Sequence, residues 1–107
     1  MPMNDKAYGY IGLAKKAGLL SAGTDSVITS VRAKKSKIVI VAADASGGTM
    51  KKVTDKCAYY GVECIVFGTC ESVGNAIGKG LTACVSVTDG NLASALKKCI
   101  CSGKRKD

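Results

Sequence analysis

Two short stretches hold the residues best suited to meeting an anionic partner. In the first, Gly23-Thr24-Asp25-Ser26 opens a helix-length segment, Thr29 follows one turn on, and Arg32, Lys34, Lys35 and Lys37 come close behind. Thr24 or Asp25 suits an N-cap, because a short side-chain oxygen accepts from a first-turn amide. The same helix end can instead present amides and short polar side chains to an RNA groove, with small residues allowing close approach. The basic run reads either as a solvated helix end or as a set of phosphate contacts. In the second stretch, Lys79-Gly80-Leu81-Thr82-Ala83 joins a helix to a strand with little bulk. Leu81 is either a core residue or an exposed apolar side chain able to stack on an unpaired base.

A third segment, Ser46-Gly47-Gly48-Thr49, lies between an apolar strand and a helix start, with Lys51 and Lys52 one turn further. It reads as a turn that caps the helix or as amides able to hold a phosphate. As the site of a small enzyme it lacks a general base. The chain has no His, which excludes a histidine-based triad or metal site. Gly74-Asn75-Ala76-Ile77-Gly78-Lys79-Gly80 fails as a nucleotide-binding loop: three residues, not four, separate its glycines, and Gly80 stands where Ser or Thr would hold magnesium. Six cysteines (Cys57, Cys64, Cys70, Cys84, Cys99 and Cys101) form no C-x-x-C pair. Without a secretion signal they read as reduced small hydrophobes in core positions rather than disulfides or metal ligands. The expectation is a non-enzymatic protein with no cofactor and no metal.

These residues must be positioned by alternating elements. A helix is expected from Asn4 or Asp5 to about Ala17, with Gly18 as its stop and an apolar stripe of Tyr8, Ile11 and Ala14, with Tyr10 and Ala17 beside it. A short strand over 19–22 precedes a helix from about Asp25 to Ala33, with Val27, Ile28 and Val31 inward. Ile38-Val39-Ile40-Val41-Ala42 is continuously apolar, as suits a strand covered on both faces. A helix from about Thr49 to Tyr60, a strand over 63–67, a short helix over 71–77, a strand over 84–87 and a helix from Leu92 to Cys99 or Cys101 complete the chain. Such alternation argues for a layered α/β domain with helices on both sides of one sheet. One domain over 1–103, with a basic tail at 104–107, accounts for the length.

The 107 residues carry sixteen Lys and Arg against eight Asp and Glu, a net charge of +8, and 47% are hydrophobic. That balance excludes a disordered polyelectrolyte. A compact cationic domain gains free energy by displacing counterions from a phosphate backbone. No apolar run approaches the roughly 20 residues of a membrane span. The start, Met1 to Ala7, has no signal-peptide core, so a cytoplasmic monomer with no membrane contact is expected.

Four segments in this order and spacing resemble the ribosomal protein L7Ae/L30e family, most closely its small bacterial branch, the YlxQ-type ribosomal-protein-like proteins. They are Gly12-Leu13-Ala14-Lys15-Lys16-Ala17-Gly18, Gly23-Thr24-Asp25-Ser26-Val27, Ile38-Val39-Ile40-Val41-Ala42-Ala43-Asp44-Ala45 and Val73-Gly74-Asn75-Ala76-Ile77-Gly78. The likeness spans about residues 5 to 100. It implies a three-layer α/β/α sandwich around a four-stranded mixed sheet. It also implies recognition of kink-turns, in which an RNA helix bends sharply beside tandem sheared G·A pairs. Gly23, Thr24, Asp25 and Ser26 would then read the G·A bases, and Lys79, Gly80, Leu81, Thr82 and Ala83 would pack on a flipped-out nucleotide. Asp44 would lie between the two surfaces. Archaeal members have Asn-Glu where this chain has Asp25-Ser26, and Lys where Thr29 stands. The implied partners are ribosomal RNA or an mRNA leader, and ribosomal proteins. A ribosome-associated adaptor that has weakened or lost its RNA contacts is the alternative.

Overall fold

A computed structural model describes residues 5–104 of the chain. Its elements run α1 (Asp5–Lys16), β1 (Leu20–Ala22), α2 (Thr24–Arg32), β2 (Ile38–Val41), α3 (Gly47–Tyr60), β3 (Glu63–Val66), α4 (Cys70–Ala76), β4 (Cys84–Val87) and α5 (Gly90–Lys104). The strands form one sheet in the order β1-β4-β2-β3. β4 is antiparallel to both β1 and β2, while β2 and β3 are parallel. A parallel pair needs a long crossover, and α3 supplies it.

The central strands are covered on both faces because their side chains alternate. Ile38, Ile40, Val85 and Val87 pack into a core with Ile11 and Ala14 of α1, Val73 of α4 and Leu96 of α5. Val39, Val41 and Cys84 face the other way, against Val27 and Val31 of α2 and Val53 and Cys57 of α3. Helices α1, α4 and α5 therefore form one outer layer, and α2 with α3 the other. Burying one such Val or Ile contributes roughly 1.5–3 kcal/mol. β3, at an edge of the sheet, is less covered, with Val66 46% exposed.

The second layer contains one polar chain. Ser86 interrupts the apolar side of β4, and its hydroxyl donates to Ser36 at 2.6 Å. Ser36 donates on to the Ile38 carbonyl at 3.5 Å, and Ser30 of α2 lies 3.3 Å from Ser86. Three buried hydroxyls are thus satisfied in sequence, as burial requires.

Several boundaries differ from the sequence expectation. α3 begins at Gly47 rather than Thr49, because Ser46 is the N-cap and its hydroxyl accepts from the Thr49 amide at 3.2 Å. α5 begins at Gly90 rather than Leu92 and runs to Lys104, while Asp89 accepts from the Leu92 amide at 2.9 Å. Ala17 lies beyond α1 and is exposed, whereas Ala7 is fully buried on its inner stripe. Asn4 and tail residues 105–107 lie outside the described residues.

Candidate nucleic-acid interface

Backbone hydrogen bonds gather three connecting segments at one end of the sheet. The Gly23 amide donates to the Cys84 carbonyl at 3.0 Å, and the Ala42 amide to the Ala83 carbonyl at 2.7 Å. The start of α2, the turn after β2 and the 79–83 loop are therefore neighbours, although up to 60 residues separate them in the chain.

The start of α2 differs from the sequence expectation. Neither Thr24 nor Asp25 caps the helix. Gly23 is the N-cap, with φ 94° and ψ 153° and no side-chain cap bond. No neighbour lies within 4 Å of a Cβ placed there. Gly is thus needed for the positive φ rather than for space. The first-turn amides have no side-chain partner, which leaves them to an outside acceptor. Asp25, Ser26 and Thr29 are exposed, and Thr24 is half-buried. Thr24 lies beside the Cys84 thiol, which burial pushes up to about 11. Arg32 is exposed but closes the far end of α2, roughly 12 Å from its start at 1.5 Å per residue.

The 79–83 loop is pinned from below. Gly74 of α4 is buried, and a Cβ there would fall 1.8 Å from the Gly80 carbonyl oxygen. Its own carbonyl accepts from the Lys79 amide at 2.8 Å. Thr82 is buried: its amide donates to the Cys70 carbonyl at 3.0 Å, and its hydroxyl donates to Gly80 at 3.1 Å. Thr82 therefore shapes the loop from inside. Lys79 and Gly80 are exposed, Ala83 is half-buried, and Leu81 stands out with 80% of its surface exposed. An apolar side chain held outward on a fixed loop is suited to stack on a base.

Asp44 follows β2, as expected, but its carboxylate is engaged. It accepts from the Cys70 amide at 2.7 Å, at the first residue of α4. That hydrogen bond holds the carboxyl below its ordinary value of 3.8. Asp44 thus ties the β2 end to the helix that supports the loop. Neither this role nor the packing of Gly74 has a local signal in the sequence.

The Ser46 segment folds as the capped turn: its hydroxyl is taken up by Thr49, and Lys51 pairs with Asp55 at 3.3 Å. Cys57 and Cys84 lie in the core. Hydrogen bonding with Cys64, together with burial, holds the Cys57 thiol far above the usual range. No helix among the described residues is long and apolar enough to cross a membrane.

Comparison with known proteins agrees with this architecture. The chain is 41% identical over 86 residues to the RNA-binding protein YlxQ of Bacillus subtilis (strain 168), spanning 80% of this chain and 86% of that one. It is 46% identical over 74 residues to the RNA-binding protein YlxQ of Enterococcus faecium, spanning 69% and 72%. A protein of unknown function from Bacillus halodurans superposes with a TM-score of 0.85 at 33% identity, covering 89% of this chain and 96% of the other. The 15.5kD RNA binding protein of Giardia lamblia shares the fold, with a TM-score of 0.75 at 18% identity over 92% and 84% of the two chains. The model of the ribosomal protein L7Ae/L30e/S12e/Gadd45 family matches residues 5–97, and the chain belongs to that family.

Proposed function

We propose that this chain is a non-enzymatic RNA-binding protein of the cytoplasm that grips a kink-turn-like RNA in or near the translation machinery. The observation that carries this reading is the pairing of an uncapped α2 start with the exposed Leu81, on segments bonded to adjacent strand ends. The amides of residues 24–26 and the side chains of Asp25 and Ser26 would meet base edges, while Leu81 would pack on an extruded base. The net charge of +8 supplies general attraction to phosphate. The names of the YlxQ relatives support RNA as the ligand.

Asp25 and Thr29 set the strength of that grip. A carboxylate accepts from base amino groups but repels phosphate and donates nothing. Thr29, exposed one turn on, brings no cation. We expect Asp25→Asn combined with Thr29→Lys to tighten binding to a kink-turn hairpin by on the order of 1–3 kcal/mol. Part of that gain should fade at high salt. Titration of the hairpin at two salt concentrations, with the fold checked by circular dichroism, measures it. The same two residues favour the adaptor reading, in which neither form binds the hairpin. Unchanged affinity in a folded double variant that does bind would remove the α2 start from the interface.

A further inference from the structure

The concavity at Asp25, Ser26 and Thr29 does not end on α2. It encloses about 370 Å³ and reaches Ser21 of the edge strand β1 and Lys35 beyond the helix. A second open concavity, of about 530 Å³, begins at those same two residues and continues past Lys37 and Thr88. Together they make one polar trough along the outer edge of the sheet. Strand register fixes its direction: Ala22 pairs with Val85 at the α2-start end, and Leu20 with Val87 at the other. Lys37 donates its amide to Val87 at 2.8 Å, so it marks the far end.

The basic residues of this far end are held in place. Ser36 is buried and fixed to Ser86, and its neighbours Lys35 and Lys37 are exposed on either side of it. Among the described residues the ion pairs are Lys51–Asp55 and Lys97–Glu63, so Arg32, Lys34, Lys35 and Lys37 are unpaired. Lys34 also sits at φ 61°, the one non-glycine at positive φ among the described residues. It occupies the helix-ending position that Gly takes without strain. A cation at a strained position points to a use for its charge.

We propose that this trough is a phosphate track, along which one strand of the bound RNA runs from the α2 start to Lys35 and Lys37. The inference rests on the RNA-binding reading and extends that surface along the whole edge of the sheet. The unpaired edge of β1 would equally suit an added protein strand. Two unpaired cations in the trough's lining, Lys35 and Lys37, with Arg32 and Lys34 on the same connection, favour a polyanion.

Two kink-turn hairpins test the track, one with minimal stems and one with each stem lengthened by a helical turn. The wild type should show a steeper dependence of log K on log salt with the longer RNA. Lys35→Ala with Lys37→Ala should lower that slope by about 1.4–1.8, at 0.7–0.9 per lost phosphate contact, and lower the short-hairpin slope by less. Lys34→Gly removes a cation while relieving the backbone. It should lower the long-hairpin slope by a further 0.7–0.9 or so without loss of thermal stability. Equal slopes for wild type and double variant on the long hairpin, with binding intact, overturn the track and leave the α2–Leu81 site standing. That is also the result expected if a protein strand occupies the edge. Absence of binding to either hairpin by the wild type defeats the RNA reading itself, and the track with it.

Discussion

Replacing Gly74 by Ala probes the packing that presents Leu81. In an unencumbered helix the change is favourable, because Ala is about 1 kcal/mol better than Gly in a helix interior. Gly9 provides that reference: it is exposed in α1, and no atom lies within 4 Å of a Cβ built there. Gly9→Ala should therefore stabilise the protein by nearly the full amount. At Gly74 the sign reverses. The new Cβ would stand 1.8 Å from the Gly80 oxygen, against a practical minimum of 3.0 Å, so the loop must retreat by roughly 1.2 Å or more. Retreat strains the Lys79–Gly74 backbone bond and the Thr82 hydroxyl bond to Gly80. Overpacking costs about 1–3 kcal/mol and each weakened hydrogen bond about 1. Set against the helix gain, the net loss is about 2–4 kcal/mol. For a domain of this size that lowers the melting temperature by on the order of 10–20 °C. Urea and thermal denaturation of both variants read the difference. At a temperature where all forms are folded, Gly74→Ala should also weaken hairpin binding by about tenfold or more, since burying a Leu side chain against a base is worth ~1.5–3 kcal/mol. A Gly74→Ala protein as stable as Gly9→Ala, with unaltered RNA affinity, would refute the account of the loop.

Three further outcomes follow from the polar and thiol groups. Ser86→Ala leaves Ser30 without its acceptor and Ser36 without its donor, so it should cost about 1–3 kcal/mol in denaturant titration despite the small change in volume. Because the Asp44 carboxyl is held below 3.8 by the Cys70 amide, its contribution is complete above the ordinary carboxylate range and lost as pH falls through the lowered native value. Asp44→Asn should flatten that part of the acid unfolding profile. Cys57 and Cys84, buried and with thiols held protonated, should resist alkylation at neutral pH until the protein is unfolded, as mass spectrometry of labelled peptides would show.

What was legible in the sequence is what depends on local pattern. The order of helices and strands follows from apolar periodicity. The double-sided burial of β2 follows from its unbroken Ile-Val run, and Gly18 and Gly61 mark helix ends through their positive φ. What was not legible depends on contacts across the chain. Gly74 reads locally as a weak point in a short helix, and only the return of the loop to Gly80 gives it a purpose. Ser30, Ser36 and Ser86 read as ordinary polar residues until the sheet brings them together across as many as 56 positions. Asp44 reads as a loop acid, while its partner amide lies 26 residues on. At α2 the sequence offered two side chains suited to capping. The strand geometry instead placed Gly23 at the cap, bonded to Cys84, and left neither side chain a capping role.

That arrangement separates shape from charge in the proposed interface. The α2 start holds Asp25 and no cation among residues 23–29, so its share of recognition must come from amides, short polar groups and the outward Leu81. These act at contact distance and are little screened by salt. The cations come after α2, on a segment anchored by a buried serine at the other end of the sheet. In the proposed interface they would act on phosphate, which carries no sequence information, and salt would weaken them. β4 joins the two halves. Its carbonyl at Cys84 receives the Gly23 amide, its hydroxyl at Ser86 holds Ser36, and its carbonyl at Val87 receives Lys37. Because all four of its residues are buried, β4 fixes the spacing between the proposed base-reading end and the cationic end. A bent RNA would then be selected by whether its helix axis leaves the α2 start in line with the trough, and a straight one of the same length would satisfy only one end at a time.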